Sequence, residues 1–347
     1  MTDARSRVTL QDVADRAGVS ITTASRVVNH GSRRVGASLE RRVRQAVAEL
    51  GYTANLQARA VATGRSSLVG VVVHDIADPY FSSIAAGLID LAGPHQLLVC
   101  LSSTPADEAA EREYVSLMRA QRARAVILIG TRTDDEAARA ALAAEIAAFG
   151  RQGGRTVCVG QPLLGVDTVA PDNAAGAQAL ARALVGLGHR RFAVLAGPRA
   201  LLTVRDRIEG FRAGLAAWSA GLEPAVAVHA AFTRDGGYEA MSAILAAGGP
   251  LPDCVFAVSD VMAVGALARL RAAGIAVPED IAVAGFDDIL TLRDVTPPLT
   301  TVRLPLKQMG EMAANLVLTD AGPGRPRVVP VPGEVIIRDS TLPRPRR

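Results

Sequence analysis

Apolar positions follow two different periods along the chain, and the change falls near residue 68. Ahead of it they recur at spacings of three and four, as on a helix with one buried face. Val13, Ala14 and Ala17 make one such face, Ala24, Val27 and Val28 a second, with Val19 between them; Leu39, Val43, Val47 and Leu50 make a third. Three short helices are predicted, over about 10–17, 21–28 and 39–50. Thr9 is a plausible cap of the first, with Asp12 as capping-box partner. Gly18 supplies the freedom for a tight turn, Ser20 caps the second helix, Ser38 the third, and Gly51 ends it. Ile21, Thr22 and Arg26 are left facing outward near the start of the second helix. A plain helical hairpin would share this pattern. A helix-turn-helix requires it, because its second helix must offer short side chains to base edges and a cation to guanine or phosphate.

From Leu68 onward, buried runs alternate with amphipathic ones. Strands are predicted at LVGVVV (68–73), LLVCL (97–101), AVILIG (125–130), TVCVG (156–160), RFAVLAG (191–197), AVAVH (225–229), CVFAV (254–258), IAVAGF (281–286) and 334–337. Helices are predicted near 80–92, 107–120, 134–149, 173–186, 204–218, 236–247, 260–273 and 306–318. Strands separated by helical crossovers form doubly wound parallel sheets. Two such runs imply two similar lobes with a cleft, and a ligand would sit beyond the carboxyl ends of the strands. Between head and body, residues 52–67 are too polar and too few for a domain. Their middle, 55–62, could form two helical turns with Ala58, Val61 and Ala62 on one side, marginal in water without a partner.

Charge sharpens this division. The 347-residue chain is 49% hydrophobic and carries a net charge of +4, enough apolar content for a large core and two or three domains. Residues 1–65 hold eleven Arg against five acids, or +6; the remainder holds 27 basic against 29 acidic residues, or −2. A basic head on a slightly acidic body points to a polyanion contacted by the head. Cys100, Cys158 and Cys254 lie singly inside apolar runs without metal spacing and are expected to be buried thiols in a reducing compartment. The first thirty residues contain no apolar secretory core and no later segment could span a bilayer, so a cytoplasmic protein without membrane contact is expected.

Enzyme motifs are missing. There is no G-x-G-x-x-G after a strand, no G-x-x-x-x-G-K-[ST], no G-x-S-x-G and no H-E-x-x-H. Lys307 is the only lysine, and His30, His74, His95, His189 and His229 show no ligand spacing. No cofactor, metal or catalytic residue is expected.

The order of motifs resembles the lac repressor family (LacI/GalR type). TLQDVADRAGVSITTASRVVN in the head and GYTANLQARAV at the joint carry the resemblance. DPYF, VAPDNAAGA, LGHRRFAVLAGP, RDRIEGF, SDVMAVGAL, VPEDIAVAGFDD and PPLTTVR carry it through the body. The implied fold class is α/β: an all-α helix-turn-helix head plus a two-lobed, doubly wound parallel-sheet effector domain like a type I periplasmic binding protein. The implied division is a head at 1–53, a hinge helix and linker at 54–66, and an effector and dimerisation domain at 67–340. Within that domain the N-lobe takes about 67–166 plus 297–325, the C-lobe about 167–296 plus 326–340, and a frayed tail follows at 341–347.

The resemblance further implies a repressor that binds a near-palindromic double-stranded DNA operator as a homodimer, in some members a tetramer, under control of a small-molecule effector, a sugar or sugar derivative. Thr9, Ser20, Ile21, Thr22, Ser25, Arg26 and Asn29 match DNA-contacting positions. Asn55, Ala58 and Val61 fall in the hinge, where Val61 stands at a position usually occupied by Leu and would wedge less deeply into the minor groove. Tyr80, Phe81, Arg207 and Asp287 match effector-binding positions, with Arg205 as the nearby alternative to Arg207. Asp287 could instead cap a turn, Arg207 could pair on the surface with Asp206 or Glu209, and Phe81 could be a core ring. His189 and the Asp172-Asn173 pair read as structural. Two departures stand out: Ser259 replaces a common Asn, and Gly160-Gln161 replaces a common Asp-Arg, so two polar anchors of a sugar site are weakened. A solute-binding protein or a sugar-processing enzyme on the same α/β fold are the alternative readings.

Overall fold

The computed structural model describes residues 8–28, 35–53, 66–104, 106–217, 226–319 and 324–343. Contacts divide the chain into two compact units, Met1–Ser67 and Leu68–Arg347.

The first unit holds α1 (Leu10–Ala17), α2 (Ile21–Val28) and α3 (Ala37–Leu50). The capping box forms as expected: the Asp12 amide donates to Thr9 Oγ1 and the Thr9 amide to Asp12 Oδ2. Gly18 adopts φ 59°, and Arg42 on α3 donates to the carbonyls of Ala17 and Gly18, satisfying acceptors that the helix end leaves open. Val13, Ala14, Ala24 and Val43 are fully buried where the three helices meet. The third cap differs from expectation. Ser38 lies inside the first turn of α3, because the Gly36 carbonyl already accepts from the Leu39 and Glu40 amides.

The second unit contains two parallel sheets. The strands of the first are β1 (Leu68–Val73), β2 (Leu98–Ser103), β3 (Ala125–Ile129), β4 (Arg155–Val159), β5 (Asp167–Pro171) and β11 (Val328–Val331), in the order β11-β5-β4-β3-β1-β2. Its helices are α4 (Pro79–Ala92), α5 (Glu108–Ala120), α6 (Glu136–Arg151) and α11 (Leu306–Leu318), which packs on α4. The second sheet runs β7-β6-β8-β9, from β6 (Phe192–Ala196), β7 (Val226–His229), β8 (Cys254–Ala257) and β9 (Ala282–Ala284). Around it lie α7 (Asn173–Gly186), α8 (Leu202–Ala216), α9 (Arg234–Ala246) and α10 (Asp260–Ala272), paired α7 with α8 and α9 with α10. A short antiparallel ladder joins β10 (Thr301–Arg303) to β12 (Glu334–Ile336).

Three expectations need correction. The lobe boundaries at 166/167 and 325/326 are misplaced, because β5 and β11 both pair into the first sheet. β5, DTVAP, lacks the Val/Ile-rich run of an inner strand, and the valines of β11 are broken by Pro330, which it tolerates because it is an edge; Arg327 secures it by pairing with Asp167 at 2.6 Å. Cys100 is exposed, since β2 is also an edge strand and turns Leu98, Cys100 and Leu101 outward, whereas Cys158 and Cys254 are buried. Ser340 and Thr341 are buried and bonded to Val283 and Thr300, so the chain is held beyond residue 340. Among the described residues no helix is long and apolar enough to cross a membrane.

Candidate functional site

In the first unit the surface of interest is the start of α2. Ala24 and Val27 face the core, and this orients Ile21, Thr22 and Arg26 outward together. Ile21 is 47% exposed. Ser20 accepts from the Thr23 amide at 3.2 Å and so caps α2. Its hydroxyl also meets Thr23 Oγ1 at 2.9 Å, which stiffens the first turn. Thr9 is exposed but committed to its capping box, and Ser25 is half-buried. The face therefore offers a methyl-bearing edge, hydroxyls and one guanidinium, which suits base edges and phosphate. Asn29, Asn55, Ala58 and Val61 lie outside the described residues.

In the second unit a cavity lies beyond the carboxyl ends of both sheets. In the first sheet the strand order reverses between β1 and β3, and in the second between β6 and β8; crevices in doubly wound sheets open at such points. His74 follows β1, Gly130 and Thr131 follow β3, and Ser259 follows β8 after one residue; all four line the cavity. The remaining free space is about 40 Å³. That is room for a few waters at roughly 10–15 Å³ each.

The C-lobe wall is built on Arg207, which α8 presents fully buried. Its guanidinium donates to Asp287 at 2.7 and 3.3 Å, to Asn173 Oδ1 at 2.9 Å and to the Val258 carbonyl at 2.6 Å, and it stacks 3.8 Å from the Phe286 ring centre. Asp287 stands at φ 120°, a region that favours glycine, held by its amide bond to the Val302 carbonyl. Burial pushes the Asp287 carboxyl up to about 6, against the charge and hydrogen bonds of Arg207. Beneath it, Asp260 accepts from Thr301 Oγ1 and the Ile289 amide; burial and then the charge of Asp287 push it up to about 8. Ser259 Oγ is buried without a hydrogen-bond partner.

The N-lobe wall carries His74, Asp78, Tyr80, Phe81 and Thr131. Asp78 caps α4 by accepting from the Tyr80 amide, which brings the Tyr80 and Phe81 rings into the cavity edge-to-face at 5.0 Å. Burial pushes the Tyr80 phenol up, so it stays neutral. Behind this wall Glu111 and Arg132 form a bidentate pair, each about 1% exposed.

Tyr80, Phe81, Arg207, Ser259 and Asp287 thus converge, while two other candidates do not. Gln161 accepts from the Arg132 amide and donates to Thr203 and Asp206, tying the loop after β4 to the first turn of α8. Arg205 is exposed, 3.9 Å from Asp134, in a separate groove with Arg199 and Arg212. His74, Thr131, Asn173, Thr203 and Phe232 were missed as lining residues. The positional rule for strand ends would have found His74 and Thr131; nothing local marks Phe232.

Comparison with known proteins agrees with this architecture. Residues 9–55 match the model for bacterial regulatory proteins of the lacI family, and residues 181–341 the periplasmic binding protein-like domain. The chain is 30% identical to the transcriptional regulator DegA of Bacillus subtilis (strain 168), over 97% of this chain and 99% of that protein. It is 33% identical to the regulator CelR of Thermobifida fusca, over 90% and 92%. A structure of a lac repressor dimer bound to operator and an anti-inducer superposes with TM-score 0.82 at 27% identity, covering 96% of this chain and 99% of that one. A complex of CelR with cellobiose superposes with TM-score 0.68 at 30% identity, covering 96% and 100%. These relatives are named as regulators of transcription and not as enzymes. The chain belongs to the lacI family of bacterial regulatory proteins, as a DNA-binding transcription regulator with a helix-turn-helix head and a periplasmic-binding-protein-like body.

Proposed function

We propose that this regulator is a cytoplasmic repressor that binds a near-palindromic operator as a homodimer and responds to a sugar or sugar derivative bound between its lobes. The observation that carries the effector reading is the buried Arg207–Asp287 pair at the switch point of the second sheet, beside the unsatisfied Ser259 hydroxyl. Two relatives support the reading: CytR of Escherichia coli (strain K12), 31% identical, is named a repressor, and CelR has been captured with cellobiose. A homodimer is supported by Ile89, Leu98, Leu101 and Leu117, apolar side chains exposed on β2 and on the helices touching it, α4 and α5. Such a patch is better buried against a second copy.

In this reading Thr9, Ser20, Ile21, Thr22, Ser25, Arg26 and Asn29 face one operator half-site. Residues 54–66 form the hinge on DNA, with Asn55, Ala58 and Val61 toward the minor groove. Effector shifts the lobes' relative angle and thereby the operator affinity, by the difference in its affinity for the two arrangements. Fluorescence anisotropy on a palindromic operator tests the head: Arg26→Ala should cost about 1–3 kcal/mol, and unchanged affinity removes Arg26 from the interface. Adding cellobiose and simple hexoses to the repressor–operator complex tests the switch. If none alters operator affinity, the carbohydrate assignment fails.

A further inference from the structure

We infer that His74 is the N-lobe's specificity-determining residue for the cleft, its imidazole hydrogen-bonding a ligand hydroxyl. This rests on the reading that a hydroxylated effector enters the cleft. The side chain is 11% exposed, lines the cavity and leans on Phe81 with ring centres 5.5 Å apart. Its Nε2 is buried without a hydrogen bond, and Glu111 Oε1 lies 3.5 Å away, at the limit of contact. Burial pushes the Glu111 carboxyl up, but the hydrogen bonds and charge of Arg132, with a further contribution from the nearby His74 ring, outweigh it and the net direction is down, so Glu111 is ionised. A carboxylate only accepts, so the imidazole presents an N–H at Nε2 to Glu111, which leaves Nδ1 for a ligand.

The ring also has a dedicated socket. Gly130 and Gly160, at the tips of β3 and β4, both stand at φ 152°. A Cβ on Gly130 would lie 2.3 Å from the imidazole, and one on Gly160 would lie 2.3 Å from the Gly130 carbonyl oxygen. The imidazole occupies the space that a side chain on Gly130 would need, and Gly160 lets the Gly130 backbone sit where it does. On the opposite wall Arg207 and Asp287 already satisfy each other, so they contribute shape and field more than free hydrogen-bonding capacity. Groups with hydrogen-bonding capacity to spare include the His74 imidazole on one lobe and the Ser259 hydroxyl on the other. A polyol that reaches both rewards closure of the lobes.

Two measurements test this on the full-length protein. Long-range 1H–15N NMR of histidine-labelled protein, with His74→Gln for assignment, should show His74 protonated on Nε2; a ring protonated on Nδ1 alone overturns the proposal. Thermal-shift titrations with cellobiose, D-glucose, D-galactose and D-ribose then compare the wild type with His74→Ala and His74→Asn. A sugar that binds the wild type should lose about tenfold in affinity in His74→Ala, the size of one buried hydrogen bond. His74→Asn, whose amide oxygen can stand near the position of Nδ1, should recover part of it. Equal affinity in wild type and His74→Ala overturns the role of His74 and leaves the carbohydrate reading intact. If no sugar shifts the wild type, the carbohydrate reading falls and the inference falls with it.

Discussion

The two walls of the cleft solve the same problem in different ways. On the C-lobe, charge lies at the surface of the cavity, with Arg207 and Asp287 lining it and satisfied by each other. On the N-lobe the equivalent pair, Arg132 and Glu111, is withdrawn behind the wall, and an imidazole and aromatic rings are set in front. Both pairs are almost fully buried, so each is costly to break. The difference shows that a buried ion pair can either face a ligand or hold in place the residue that does.

The largest expected effect comes from breaking a pair. Arg207→Ala leaves the Asp287 carboxylate buried and unpaired and should lower unfolding free energy by about 3–5 kcal/mol, read from denaturant titration. A loss below about 1 kcal/mol would show that Asp287 escapes by taking up a proton or water. Next in size is the socket: Gly130→Ala combines backbone strain with overpacking and should cost roughly 1–3 kcal/mol. If the variant melts with the wild type, His74 can swing away and the N-lobe wall is not rigid.

The two walls should also titrate in opposite directions. Asp260 and Asp287 have folded values raised to about 8 and about 6 from 3.8. Their stabilising contribution is complete below 3.8 and is lost as the pH rises through those folded values. Glu111 is lowered from 4.5, so its contribution is present above 4.5 and is lost as the pH falls through its folded value. Melting temperature should therefore fall between about pH 5 and 8, and Asp260→Asn should flatten that slope. An unchanged slope would place the titration elsewhere. The smallest effect belongs to Ser259→Ala, which removes a buried hydroxyl that has no partner. Stability should stay within about 0.5 kcal/mol of wild type or rise slightly, while effector response weakens. A clear loss of stability would reveal a partner for the hydroxyl in the folded state.

Much of this architecture was legible in the amino-acid order. The capping box at Thr9 and Asp12 spans three residues, and α1 and α2 begin and end where the apolar period and the caps place them. Arg207 and Asp287 were both identified, but their union, across 80 residues of sequence, was not. Gln161 carried the opposite lesson: its position resembled a ligand site, whereas its amide serves the joint between the loop after β4 and α8.

The sequence by itself determined the helix-turn-helix head, the alternation of strand and helix, and the family, because each rests on periods and caps that act within a few residues. The tertiary structure alone decided that β5 and β11 complete the first sheet, that Cys100 faces outward on an edge, and that Gly130 clears a place for His74. Those outcomes depend on which strands become neighbours and in what register, and strand pairing joins segments far apart in the chain.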